Sequence, residues 1–295
     1  MRALEPDETG TAGGIYWERF GDGDPTALFV PPWAIVHSRI WKMQVPYFAR
    51  HFRAVVFDPR GNGGSIRPPD PAAYAESEQA ADVLAVMDAS GTEAAVLVTL
   101  SMGAQRTLLF ADAHPERVLG LVFIAPAVHL VPGNVERDAY EARFMEELDT
   151  DEGWAKLNAH YWRREYRGFL QHFFENAFTE PHSTKQIEDA VGWGLETDPE
   201  TLIATAVGPE LDKRTTLEIV ARVTCPVLVI HGTDDAIRPV AAGRALAAAS
   251  GGELMEMPGA GHCAQARKPV AVNLAIREFV ERARKPREEA VHVHG

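Results

Sequence analysis

Three observations predict an α/β chain with a mostly parallel central sheet flanked by helices and a helical segment inserted between two of its strands. Short apolar runs of strand length recur at 27–30, 54–57, 95–98, 118–125 and 226–230. Several of them break at glycine- or proline-bearing loops and give way to helix-period patterns, as strands buried on both faces and joined by helical crossovers do. From 128 to 223 that alternation lapses into helical patterns dense in aromatic residues. The breaks divide the chain into a first core part (1–127), a helical insertion (128–223), a second core part (224–285) and a polar tail (286–295) expected to fray.

Residues 15–20 and 27–30 read as opening strands joined by the turn Gly21-Asp22-Gly23-Asp24-Pro25. The second strand stops at Pro31-Pro32-Trp33, a loop stiffened by two prolines in which Trp33 still has a backbone N–H to donate. His37, in the same loop, is expected at the solvated surface. The strand at 54–57 runs into Asp58-Pro59-Arg60-Gly61-Asn62-Gly63-Gly64-Ser65, where glycines permit tight turning and Asp58 and Arg60 can brace the loop through charge-assisted hydrogen bonds. An amphipathic helix over 77–89 is expected to bury Ala80, Val83, Leu84 and Met87.

The next strand breaks at Thr99-Leu100-Ser101-Met102-Gly103. After the break the period is helical, with Met102, Leu108, Leu109 and Ala113 near one face, until His114-Pro115. Ser101 therefore sits between strand and helix, where charge developing on a substrate oxygen meets the positive end of the helix dipole. By itself a serine at a strand end more often caps a helix than attacks a substrate, so partners elsewhere decide its role. The strand at 118–125 runs into Pro126-Ala127, with no carboxylate before Glu136. The strand at 226–230 runs into His231-Gly232-Thr233-Asp234-Asp235. A helix over 240–249 and a strand over 253–257 follow, then Pro258-Gly259-Ala260-Gly261-His262 and a final helix over 269–284. Helical patterns at 138–148, 152–164 and 169–178 fill the insertion. Serine, acid and histidine thus follow one another, each beyond the carboxyl end of its own strand. A serine hydroxyl is a weak nucleophile, an imidazole can take its proton, and a carboxylate orients the imidazole and stabilises its cation.

The Ser101 turn resembles the nucleophile elbow of the α/β-hydrolase family, G-x-S-x-G, with Thr99 in place of the first glycine. The segment 58–65 resembles that family's D-x-R-G-x-G-x-S loop. Its acid pattern, a glycine, two variable residues, the acid and a later proline, falls on Gly232, Asp235 and Pro239. The resemblance covers residues 15–284 and implies the α/β-hydrolase fold, with 128–223 as a helical cap over the site. It implies Ser101, Asp235 and His262 as a catalytic triad and the N–H groups of Trp33 and Met102 as the oxyanion hole. Pro31-Pro32 stand where most members carry His-Gly. Successive residues of an extended loop point opposite ways, so only one of Asp234 and Asp235 can meet His262; the family spacing favours Asp235 and leaves Asp234 to brace the turn or face solvent. His231 precedes the acid loop and breaks the family order as a rival base.

The implied activity is hydrolysis of a carboxylic ester, lactone or thioester of a small, largely apolar substrate through an acyl-enzyme, most like lid-bearing esterases and enol-lactone hydrolases. Activity would rise with pH as His262 loses its proton. A carbon–carbon bond hydrolase or a cofactor-free haloperoxidase would use the same triad, and a non-catalytic small-molecule receptor would keep the fold without the chemistry. Aromatics of the insertion, among them Trp154, Tyr161, Trp162, Phe169, Phe173 and Phe174, would form its core and in part line an apolar pocket over Ser101. Neutral esters are then expected to be preferred over dicarboxylate ones, unless local arginines such as Arg163 or Arg164 reverse it.

Composition bounds the partners. At 295 residues and 46% hydrophobic content the chain can bury a substantial core. A net charge of -13 and the lack of a basic tract argue against binding nucleic acid or anionic membranes. The first fourteen residues contain no apolar stretch of signal-peptide type, and a cytoplasmic location is expected, with Cys225 and Cys263 as reduced thiols. No metal cluster, phosphate loop or dinucleotide fingerprint stands in the sequence, so no metal and no cofactor is expected.

Overall fold

The apolar runs become strands because their β-branched and aromatic side chains fill both faces of a buried sheet. A computed structural model describes residues 4–208 and 210–283; the tail at 286–295 and the end of the final helix at 284 lie outside the described residues. The strands are Glu8–Ala12 (β1), Ile15–Phe20 (β2), Thr26–Val30 (β3), Arg53–Phe57 (β4), Ala95–Leu100 (β5), Val118–Ile124 (β6), Val227–Gly232 (β7) and Glu253–Met257 (β8). They form one sheet in the order β1-β2-β4-β3-β5-β6-β7-β8. The β1–β2 and β2–β4 pairs are antiparallel and the remaining pairs parallel. β5, which delivers Ser101, therefore lies between β3 and β6 in the interior of the sheet.

Side chains alternate between the faces, so each face carries its own core. Phe29, Val56, Val98, Val122 and Ile230 face one cluster, packed with Phe48 from Val45–Phe48 (α1) and with Ile276 and Phe279 from Pro269–Ala283 (α11). Leu28, Val55, Leu97, Leu121 and Val229 face the other. That cluster is closed by Val83, Val86 and Met87 of Glu76–Ala89 (α2), by Leu108 and Phe110 of Gly103–Ala113 (α3) and by Leu246 of Val240–Ser250 (α9). One expected core position differs: Leu84 is half-buried, because the side of α2 that meets the sheet is turned toward Val86; on α3 Leu108 is buried, Leu109 half-buried and Ala113 exposed.

Between β6 and β7 the described residues hold helices and turns: Val135–Glu141 (α4), Ala159–Ala177 (α5), Thr184–Gly194 (α6), Pro199–Ala206 (α7) and Lys213–Val220 (α8). The helix expected over 138–148 stops at Glu141, since the Phe144 carbonyl accepts the backbone N–H of Ala159 at 2.9 Å and the Asn158 amide at 3.1 Å instead of continuing a ladder. The pattern at 152–164 is likewise divided. A 3-10 turn, Gly153–Lys156, precedes Asn158, whose side chain caps α5 by accepting the N–H groups of His160 and Tyr161. α5 then kinks at Glu165 (φ -145, ψ 63) before its aromatic run. A four-residue turn, Ala264–Arg267 (α10), follows His262. Among the described residues, no helix is long and apolar enough to cross a membrane.

Candidate active site

β5 ends in a turn so tight that Ser101 takes φ 55, a left-handed conformation that costs a residue with a side chain of this kind on the order of 1–3 kcal/mol. The turn is braced from the neighbouring strand. Ser101 N–H donates to the Ile124 carbonyl at 3.0 Å, and the Ser101 carbonyl accepts from Ala104 and Ala127, each at 3.0 Å. A Cβ on Gly103 would meet Thr99 Oγ1 at 2.2 Å and the Pro31 carbonyl at 2.7 Å, so a side chain there would push the helix off the loop behind it. The same distances explain the departure from G-x-S-x-G: the buried Thr99 hydroxyl occupies the room that Gly103 leaves.

The acid comes from the loop after β7. Asp235 Oδ1 accepts the backbone N–H groups of Ile237 (2.8 Å) and Arg238 (2.9 Å), and Oδ2 accepts from His262 Nδ1 (2.8 Å) and His231 Nε2 (3.1 Å). Its side chain is fully buried. Burial opposes ionisation, but the charge of His262 and the hydrogen bonds from both histidines outweigh it and hold the carboxyl well below the usual carboxylate range. Asp234 is exposed and accepts from Thr233 Oγ1 at 2.8 Å. The acid strand and the histidine loop nearly touch: a Cβ on Gly232 would lie 2.1 Å from the Ala260 carbonyl. With Nδ1–H on Asp235, His262 presents the Nε2 lone pair, and His262 lines the same cavity as Ser101.

His231 sits behind this arrangement. It is fully buried, shares its Nε2 between Asp235 and the Arg238 carbonyl (3.1 Å), and does not line the cavity. His37 corrects a sequence expectation: it is 2% exposed, not solvated, with Nδ1 3.6 Å from Asp58 and Nε2 3.4 Å from Glu196. The loop 58–65 packs on it from one side, and the stretch after α6 from the other. Asp58 braces its loop by accepting from the N–H groups of Gly64 and Ser38, whereas Arg60 leaves the loop and pairs bidentately with Asp82 of α2.

Trp33 and Met102 line the same cavity as His262. Among the described residues, neither backbone N–H has a protein acceptor. The Trp33 indole donates to Thr205 at 2.7 Å and its ring packs against Trp162, Phe169 and Phe173. A connection missed by the sequence reading holds this loop: Arg106 of α3 pairs bidentately with Glu76 at the start of α2 and donates to the Pro32 carbonyl at 3.3 Å. The cavity is small, about 40 Å³ in the positions that the centre of a water-sized sphere can take. Its walls are mostly apolar, with Ile35, Val36, Phe173 and Phe174 prominent, but Arg137 and Arg238 also line it. Arg163 and Arg164, the arginines singled out from the sequence, are exposed instead and paired with Glu200 and Asp151. Among the described residues, no group of three metal-ligating side chains occurs.

A family model described as the alpha/beta hydrolase fold matches residues 33–269. The chain belongs to the α/β-hydrolase family. A 3-oxoadipate enol-lactonase of Acinetobacter baylyi is 26% identical to this α/β hydrolase over 269 residues, 91% of this chain and 93% of that one. Two solved structures share its fold: an esterase from Exiguobacterium antarcticum (TM-score 0.77, 18% identity, 92% and 98% of the two chains) and a bromoperoxidase from Bacillus anthracis (TM-score 0.77, 21% identity, 93% and 100%).

Proposed function

We propose that the protein is a serine hydrolase that cleaves a carboxylic ester, lactone or thioester of a small, largely apolar substrate through an acyl-enzyme on Ser101. The observation that carries this reading is the buried His262–Asp235 hydrogen bond at 2.8 Å on the wall of the cavity that Ser101 enters. His262 Nε2 takes the Ser101 proton as Oγ attacks the substrate carbonyl. The oxyanion that forms is met by the N–H groups of Trp33 and Met102, which have no other acceptor among the described residues. Collapse of the intermediate expels the alcohol or thiol, which leaves with the proton from His262. Water, deprotonated by the same nitrogen, then releases the acid. Residues 128–223 act as the cap, with Phe173, Phe174 and Ala177 of α5 covering the site and excluding water from the acyl-enzyme. The enol-lactonase name of the A. baylyi relative supports a lactone or ester over the other chemistries of this fold.

The test is a chromogenic short-chain ester assay combined with a serine-directed phosphonate. One phosphonate should add, at Ser101, with loss of ester turnover in proportion to labelling. A protein that hydrolyses nothing and takes no label is a binding protein on this fold, and the hydrolase reading is then wrong.

A further inference from the structure

We propose that the cavity takes an ester or lactone that itself carries a carboxylate, received by the guanidinium of Arg238. This rests on the serine-hydrolase reading above and narrows it. Arg238 follows the acid by three residues and its backbone is fixed by the site: its N–H holds Asp235 Oδ1 at 2.9 Å and its carbonyl faces His231 Nε2 at 3.1 Å. Arg238 lines the cavity and is only 6% exposed.

The other buried arginines described are all paired. Arg60 binds Asp82, Arg106 binds Glu76, and Arg137 binds Glu141 and the Ile237 carbonyl. Among the described residues, the Arg238 guanidinium makes no hydrogen bond and no ion pair. Burial weakens its hold on a proton and the like charge of Arg137 adds to that; Glu141, Glu210 and Asp138 act in the opposite sense from beyond bonding distance. Among the described residues no Asp or Glu lines this cavity; Glu141 and Glu210 line the adjoining one that shares Trp33, Met102 and Arg137 with it. A desolvated cation with no acid bonded to it is costly and is kept where a ligand supplies the anion. Glu141 is bonded to Arg137 and no acid is bonded to Arg238, and the further acids nearby, Glu210 and Asp138, disfavour a dianionic phosphate more than a single carboxylate. A planar fork receives it bidentately. The apolar remainder of the wall calls for a short hydrocarbon stem between that carboxylate and the scissile carbonyl, as in a half-ester or lactone of a dicarboxylic acid. The net charge of the chain does not forbid this, because charges farther off than about 8 Å are largely screened at physiological salt.

The experiment compares matched pairs: 4-nitrophenyl butanoate, pentanoate and hexanoate against the mono-4-nitrophenyl esters of succinate, glutarate and adipate. In wild type the ratio of kcat/KM, half-ester over neutral ester, should exceed about ten for at least one length. Arg238→Met should cut that ratio by about 30-fold or more, and Arg238→Lys should restore part of it. Arg238→Met should also melt no lower than wild type, since it removes an unpaired buried charge. A ratio unchanged by Arg238→Met, or a wild-type ratio below one at every length, overturns the proposal; so does a marked drop in melting temperature, which would make the residue structural. If wild type cleaves neither series, the hydrolase reading has failed by itself. Calorimetric titration of Ser101→Ala, with and without Arg238→Met, then decides with monomethyl glutarate and dimethyl glutarate. Binding of the monoester alone, lost on Arg238→Met, supports the carboxylate site; any other result overturns it.

Discussion

The two sides of the cavity follow opposite rules. On the His262 side, Asp235 accepts four hydrogen bonds and is sealed from solvent, so the acid, the imidazole and the loop after β7 lock one another in place. Elsewhere on the wall the N–H groups of Trp33 and Met102 and, beyond the acid on its own loop, the guanidinium of Arg238 meet no protein acceptor among the described residues. Buried polar groups are normally paired, and leaving one unpaired costs about 1–3 kcal/mol. The difference therefore separates groups that hold geometry from groups left open for charge that arrives with a substrate or develops in the transition state.

The largest break removes the atom between the two sides. Ser101→Ala should lower turnover by about 10⁶-fold, in line with losses on deleting the nucleophile of a serine protease, while the protein stays folded and takes no phosphonate. An active Ser101→Ala enzyme sinks the mechanism. Next comes the sealed side. Asp235→Asn keeps the shape but can hold the wrong imidazole tautomer and no longer stabilises the imidazolium, a loss of about 10⁴-fold. Asp234→Asn touches an exposed side chain bonded to Thr233 and should cost less than about threefold. Steady-state kinetics of the two variants separate the roles, and the reverse outcome would make Asp234 the acid.

These contrasts bear on how much was legible beforehand. Apolar runs mark β3 to β7 because both faces of those strands are buried; β1 escapes notice because ETGTA, an edge strand with mostly exposed or half-exposed side chains, carries no such run. Strand order is invisible in a pattern that reports burial and not neighbours. At the site, the spacing from Gly232 to Pro239 points to Asp235, and it is Asp235 that bonds to His262. The cavity arginines did not show themselves. Arg163 and Arg164 stand among aromatics in sequence but on the outer side of a helix, whereas Arg238 is hidden in a loop whose direction only the fold decides. His37 was misplaced for a related reason: the stretch that buries it, near Glu196, is 159 residues away.

The open side can be weakened from behind. Arg106 is 2% exposed and ties Glu76 to the Pro32 carbonyl, next to Trp33. Arg106→Met strands a buried carboxylate and should cost about 3–5 kcal/mol in urea unfolding at neutral pH. The double variant Arg106→Met, Glu76→Leu removes both charges and should recover most of that loss. A single variant as stable as wild type would mean that the Trp33 loop is held by its packing alone.

A smaller loss of turnover than at Ser101 or Asp235 is expected at His231, which tests whether the sealed side is sealed for a reason. Its Nε2 donates to Asp235 from the side away from the cavity, so it cannot touch substrate and can act only through the acid. A hydrogen bond to a charged group contributes about 1.5–3 kcal/mol, so His231→Phe should lower kcat by about 10- to 100-fold with little change in KM. Stability should follow a defined course with pH. The carboxyl of Asp235 is lowered in the fold, burial opposing and the charge and hydrogen bonds of His262 and His231 prevailing. A lowered acid stabilises the fold fully above its unfolded value of about 3.9 and ceases to do so as pH falls through the lower folded value. Without His231 the folded value moves back up, and that contribution shrinks. His231→Phe should therefore be less stable than wild type at neutral pH, and the gap should close as pH drops below about 4. If kcat falls while the gap is the same at pH 3 as at pH 7, His231 is a packing residue and the acid is held by His262 and the two backbone donors without it.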